Sequence, residues 1–198
     1  IKNFFIENKK KIIISASILI IILFSLFFYQ ELKESQKEEL AQQFNQAAII
    51  YENGNETEIL ESMKKIIYSN DSTYSPLAFY FLLDNNLITD KNEINGYFDI
   101  IITKTDLNEE MKDLNIFKKA LFNSEFVEEN ELLNILNPLI KSNSVWKSHS
   151  LYLMGEYYLS KNQKQKSKEF FEQIVALENI NTKIQTKAQR RLRAEFSE

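Results

Sequence analysis

The sequence predicts an all-α protein: one N-terminal transmembrane helix, then a helical-repeat domain of the α-solenoid class. Three observations carry this. Ile12 to Tyr29 runs eighteen residues without a charge. From Gln30 onward, apolar residues recur at three- and four-residue spacing and nowhere sustain a two-residue alternation. The 198 residues hold three Gly and two Pro, too few for an all-β fold with a turn every 8–12 residues or so. A hydrophobic fraction of 44% excludes a disordered chain. The absence of Cys excludes a disulfide scaffold. Length predicts one domain with an appendage. No Met opens the chain, so a few N-terminal residues are expected to be missing.

The first element is a basic tail, residues 1–11, where Lys2, Lys9, Lys10 and Lys11 outweigh Glu7. The span follows over residues 12–29. At 1.5 Å per residue it measures about 27 Å, close to the ~30 Å hydrocarbon core. Thirteen of its eighteen residues are Ile, Leu or Phe, which favour insertion by roughly 0.3–0.6 kcal/mol each. Ser15, Ser17 and Ser25 oppose this little, because a helical Ser bonds its own backbone. A cleaved signal peptide is the alternative, but its apolar stretch is shorter and ends at a small-residue cleavage site. This run ends Phe27-Phe28-Tyr29-Gln30-Glu31. The lysine end is expected in the cytoplasm, with the acidic flank of Glu31, Glu34, Glu38 and Glu39 across the membrane. In a bacterium residues 30–198 then lie in the periplasm. The lack of Cys suits an oxidising compartment.

Residues 30–53 read as an outward continuation of the span, since nothing between Tyr29 and Tyr51 breaks the helix. Gly54 marks its stop. Asn55-Glu-Thr-Glu58 has the form of a capping box before Ile59, Met63, Ile66 and Ile67. Ser75-Pro76 reads as a cap with Pro at the first helical position, opening Leu77, Phe81 and Leu82. Asp90-Lys-Asn-Glu93 repeats the cap signature before Ile94, Phe98, Ile101 and Ile102. Further stripes are Met111, Leu114, Phe117 and Leu121, then Leu132, Leu133 and Leu136, bounded by Pro138. Leu151, Met154 and Tyr158 pair with Phe170, Phe171 and Ile174. Ile184, Ala188, Leu192 and Phe196 form a capping helix over residues 182–198.

Short helices between polar turns invite a search for repeats. The clearest unit is Leu151-x2-Met154-Gly155-x2-Tyr158, then Ser167-x3-Phe171-x2-Ile174, which resembles the tetratricopeptide repeat. Gly155 and Ser167 would let two antiparallel helices approach closely, while Tyr158 and Phe171 fill the space between repeats. A Gly inside a helix costs about 1 kcal/mol, which close packing would offset. Leu151 stands where that repeat has Trp, and Asn179 where it has Pro. A more degenerate unit comprises Ala47, Ile50, Gly54, Ile59, Met63 and Ile66. Its Ile59 corresponds to Ser167, with Ile94 and about Leu132 between them, at intervals near the expected 34 residues or so. Three to four helical pairs are expected, each needing its neighbour to bury an apolar face.

The order of basic tail, span, juxtamembrane helix and degenerate repeats, with Asn137-Pro138-Leu139, Val145-Trp146, Met154-Gly155 and Phe171, resembles a family of single-pass tetratricopeptide-like proteins. They belong to the bacterial inner membrane and include an ancillary subunit of the Sec translocon and a related cell-division coordinator. The resemblance implies an interaction module near the translocon, contacting translocon subunits, emerging chains or periplasmic chaperones. A rival reading is an envelope scaffold for cell division or outer-membrane assembly. A membrane-tethered enzyme is a further one.

No nucleophile elbow, phosphate loop, zinc spacing or dinucleotide fingerprint appears. No catalytic residue, cofactor, metal or small-molecule substrate is expected, and no nucleic acid. Glu109-Glu110 and Glu128-Glu129 are adjacent, so on a helix they diverge by about 100° and suit helix starts better than acid–base work. His149 reads as groove-facing or solvated rather than as a base. Lys183, Lys187, Arg190, Arg191 and Arg193 form a basic cluster holding every Arg in the chain. It is either a solvated face or a surface for acidic segments or anionic headgroups. Trp146 reads as a wedge between repeats. His149, Tyr152 and Glu156 lie off the packed face of Leu151, Met154, Gly155 and Tyr158. Together with Arg190 and Arg191 they are the candidate partner-binding residues.

Overall fold

The computed structural model describes residues 9–52, 54–178 and 181–196, and is helical throughout, with nine helices among the described residues. They are α1 (Lys9–Glu52), α2 (Glu56–Tyr68), α3 (Tyr74–Asp84), α4 (Lys91–Lys104), α5 (Glu109–Asn123), α6 (Glu129–Ile140), α7 (Lys147–Ser160), α8 (Lys164–Ala176) and α9 (Thr182–Phe196). Lys2, Glu7 and Asn179, on which the tail and one repeat position were read, lie outside the described residues. Two compact units divide the chain, Ile1–Ile66 and Ile67–Glu198.

In the first unit, α1 is a single helix of 44 residues, about 66 Å long. No Gly or Pro interrupts it, and Ser25 returns its hydroxyl to the Ile21 carbonyl (2.9 Å). It stops before Gly54, whose φ of +84° is one that L side chains rarely adopt. Asn55 donates from its amide to the Glu58 carboxylate (2.7 Å). Ala47, Ile59, Met63 and Ile66 are buried. The apolar run stays open to solvent: Ile14 and the large residues from Ile18 to Tyr29 are 50–71% exposed. Among the described residues no helix is long and apolar enough to cross a membrane. That set leaves out the Ile12, Ile13 and Ala16 side chains, which interrupt the run. The transmembrane expectation for residues 12–29 therefore finds no support among the described residues and rests on the sequence.

The second unit is a succession of helical pairs. The helices α3, α5, α7 and α9 begin 35, 38 and 35 residues apart, and so do α2, α4, α6 and α8 along the chain. Ile59, Ile94, Leu132 and Ser167 each fall at the fourth residue of their helix and are all buried. Within the unit, helices pack on their neighbours in sequence, and α5 touches α7 and α7 touches α9. One core holds Ile116, Ala120, Leu132, Leu136, Leu139, Met154 and Tyr158. Another holds Leu151, Phe171, Ile174, Ile184 and Ala188. Asn86 and Asn162 end α3 and α7 with φ of 55° and 57°. There the amide of the next residue reaches back to Leu82 and Tyr158 (2.9 Å each), closing a Schellman turn.

Two boundaries differ from the expectation. Helix α3 begins at Tyr74, before Ser75-Pro76, because an Asp71 carboxylate oxygen accepts from the Thr73 and Tyr74 amides (2.8 and 2.7 Å). Pro138 lies inside α6 instead of bounding it. It falls in the last turn, where its missing N–H removes one bond, and Lys141 N–H still reaches the Asn137 carbonyl (3.0 Å).

Candidate functional site

Two helices come into close contact at Gly155 on α7. A Cβ there would lie 2.6–2.9 Å from three ring carbons of Phe171 on α8. Ser167 Oγ donates to the Gly155 carbonyl (2.8 Å) in a buried bond. Both small residues are thus used to bring α7 and α8 together. The structure places Leu151, Met154, Gly155, Tyr158, Ser167, Phe171 and Ile174 all in the interior.

The helices α3, α5, α7 and α9 share a seam of polar and aromatic contacts. Tyr80 on α3 donates its hydroxyl to the Asn115 side-chain carbonyl on α5. The Lys118 ammonium sits 3.6 Å from the centre of the Tyr80 ring, and Asp84 acts on it electrostatically. Between α5 and α7, Phe117 stacks on Trp146, ring centres 5.3 Å apart, and meets the His149 edge at 5.9 Å. Further along, Glu125 of the α5–α6 turn and Leu153, Glu156 and Tyr157 of α7 line one cleft of about 360 Å³. Between α7 and α9, Glu156 accepts two hydrogen bonds from Arg191, both 2.7 Å. Between α3 and α5, and between α5 and α7, residues later in one helix meet residues later in the next, so these helices run parallel, one repeat apart.

The candidate partner-binding residues are split by this geometry. Tyr152, Glu156 and Arg191 come together in one cluster, with the Tyr152 phenol acting electrostatically on both members of the ion pair. Burial, reinforced by Glu156, pushes the Tyr152 phenol up, and the Glu156 carboxylate raises the Arg191 guanidinium further. Arg191 also reaches Glu195 on its own helix (3.6 Å). His149 stands apart in the Phe117–Trp146 stack. Its Nδ1 is buried without a hydrogen-bond partner, as is Trp146 Nε1. Burial, and then Lys187 on α9, hold its pKa below the ordinary histidine value. Arg190 is exposed and outside both groups.

Sequence reasoning missed Tyr80, Asn115 and Phe117 as seam residues. The available signal was the repeat period, since Tyr80 and Asn115, like Glu156 and Arg191, are partners 35 residues apart. Among the described residues no group of three or more His, Asp or Glu is placed to hold a metal ion. The arrangement offers hydrogen-bonding and aromatic surfaces. Glu109 and Glu110 occupy the first turn of α5, and Glu128 precedes Glu129 at the start of α6, where carboxylates suit the helix dipole.

Residues 2–94 match a family model, the tetratricopeptide repeat-like domain. Over that stretch, just under half of its length, the chain is similar to tetratricopeptide repeat-like domains. No curated protein and no solved structure matches the chain. The match takes in α1 to α3 and the start of α4, including the whole apolar run, and stops short of the α7–α8 pair. Tetratricopeptide repeat-like domains are typically non-catalytic protein–protein interaction modules, so the match supports protein partners in general.

Proposed function

We propose that this chain is a non-enzymatic, membrane-anchored docking protein of the bacterial inner membrane. Residues 1–11 form its cytoplasmic tail, residues 12–29 its single span, and residues 30–198 a periplasmic domain. That domain works beside the Sec translocon and hands emerging proteins to periplasmic chaperones. One observation carries the anchoring: the large side chains from Ile18 to Tyr29 are exposed on every side of α1. An uncovered apolar surface of that extent needs lipid or protein around it.

Three measurements test the reading. The chain should stay with the membrane pellet after alkaline carbonate extraction, and an alkaline phosphatase fused after Glu198 should be active. Activity only from a cytoplasmic reporter at that position sinks the topology. Capture in mild detergent followed by mass spectrometry should recover translocon subunits. Recovery of division or outer-membrane assembly machinery instead would move the docking role to an envelope scaffold.

A further inference from the structure

The basic cluster of α9 is not one surface. Arg191 is paired with Glu156 and Glu195, whereas Lys183, Lys187 and Arg190 are exposed and have no ion-pair partner among the described residues. They sit at i, i+4 and i+7, one above another on one side of the helix. Ile184 and Ala188, ~100–140° round the helix from Lys183, are buried against α7 and α8. This leaves three exposed cations, about 10.5 Å from first to last, along the last described helix.

The chain carries a counterpart of the same length. Glu31, Glu34 and Glu38 on α1 stand at i, i+3 and i+7, all exposed and without an ion-pair partner among the described residues. At about 100° per residue they cluster within ~60° around the helix, while Lys33 and Lys37 fall ~200–240° away from Glu31. Ala47, buried to 1%, lies ~160° from Glu31 on that same reckoning. The acidic stripe therefore faces away from the side on which α1 buries Ala47.

We infer that these stripes are the two halves of a contact between copies, in which α9 of one chain lies along α1 of a second and the exchange is reciprocal. Three cations meet three carboxylates twice per dimer, in the two-fold arrangement that closes without forming a fibre. Contacts of this kind are weak singly and strongly screened, so the dimer is a salt-sensitive one.

The test uses the full chain in detergent micelles, with mass measured by light scattering on a sizing column. A dimer is expected at about 0.05 M salt. Its association constant should fall about tenfold or more at about 0.5 M, where screening reaches only a few ångströms. The charge-reversed variants K183E/K187E/R190E and E31K/E34K/E38K should each be monomeric, with unchanged helical circular dichroism. Mixed one to one they should form a heterodimer, because each then offers the charge that the other needs. A monomer at low salt overturns the inference, as does a dimer indifferent to salt and to both reversals. Two reversed variants that stay monomeric when mixed also overturn it. So does a monomeric wild type that binds phosphatidylglycerol vesicles through Lys183, Lys187 and Arg190, which would assign the face to lipid headgroups.

Discussion

Gly155 and Gly96 both lie inside helices, and the same substitution should act on them with opposite sign. Replacing Gly by Ala in a helix gains about 1 kcal/mol, because Ala has less backbone freedom to lose. At Gly96 on α4 nothing lies within 4 Å of the added methyl, so Gly96→Ala should gain the full amount. At Gly155 the methyl would stand 2.6, 2.8 and 2.9 Å from the Phe171 ring, about 1 Å inside ordinary carbon–carbon contact at 3.5–4.0 Å. Phe171 is fully buried and its ring meets Tyr152 at 5.4 Å, so it has little room to swing aside. Overpacking of this kind costs about 1–3 kcal/mol. Less the propensity gain, Gly155→Ala should destabilise by up to about 2 kcal/mol. For a chain of this size that shifts Tm by about 2–4 °C per kcal/mol. Thermal and urea unfolding followed by circular dichroism should show Gly96→Ala melting above the parent and Gly155→Ala below it. Adding Phe171→Leu should recover part of the loss in Gly155→Ala while destabilising the parent. Equal stabilisation by both alanines would refute the close-packing account of Gly155.

Three further outcomes follow from other contacts. Ser167→Ala removes the buried bond to the Gly155 carbonyl and should cost about 1 kcal/mol in urea unfolding, whereas Ser160→Ala, at a partly buried helix end, should cost less. Glu156→Gln breaks the paired contact with Arg191, whose side chains are 30–39% exposed, so the loss should be about 0.5–1 kcal/mol and should shrink at high salt. His149 has a folded-state pKa below its unfolded value, so the unfolded chain binds the extra proton first as pH falls. Stability should be full above about pH 6.5 and decline as pH drops below it. His149→Gln should flatten the urea midpoint between about pH 7.5 and 5.5. Glu129, held low by Lys166, acts only lower down, where its stabilisation is lost as pH falls below the ordinary carboxylate range. An unchanged slope in His149→Gln would remove His149 as its cause.

The helix starts were legible because caps are local chemistry. Asp90 accepts from the Glu93 amide (2.8 Å) just where Asp90-Lys-Asn-Glu93 announces it, and Gly54 takes the positive φ that its place after α1 requires. Ser75-Pro76 misled because a competing cap at Asp71 lay four residues before Ser75, and a Pro in the first turn is compatible with either start. Partners across the seam were not legible one by one. Nothing near Glu156 in sequence points to Arg191, and a Glu on an exposed helix face reads as open for binding. Combining the period with charge would have found the pair. What reads as a binding surface on a single helix is, one repeat later, partly used in holding the repeats together.

That sharing explains why the repeat signature fades while the period survives. At the position of Ser167 the other second helices carry Ile59, Ile94 and Leu132, branched side chains that cannot take the place of a hydroxyl bonded to a neighbouring backbone. The middle pairs are fastened by other means. Asn95 and Asn123 exchange amide hydrogen bonds between α4 and α5 (3.0 and 2.7 Å), and Lys119 on α5 reaches Asp99 on α4 (2.6 Å). Tyr157 donates to the Val127 carbonyl across 30 residues of sequence (3.2 Å). Each solution keeps the spacing of 35 to 38 residues, because the spacing is set by helix and turn lengths, whereas the consensus residues encode only one way of filling the space between helices. A chain that fills it in several ways keeps the architecture while the consensus residues change from pair to pair, and the α7–α8 pair keeps its glycine against a phenylalanine ring.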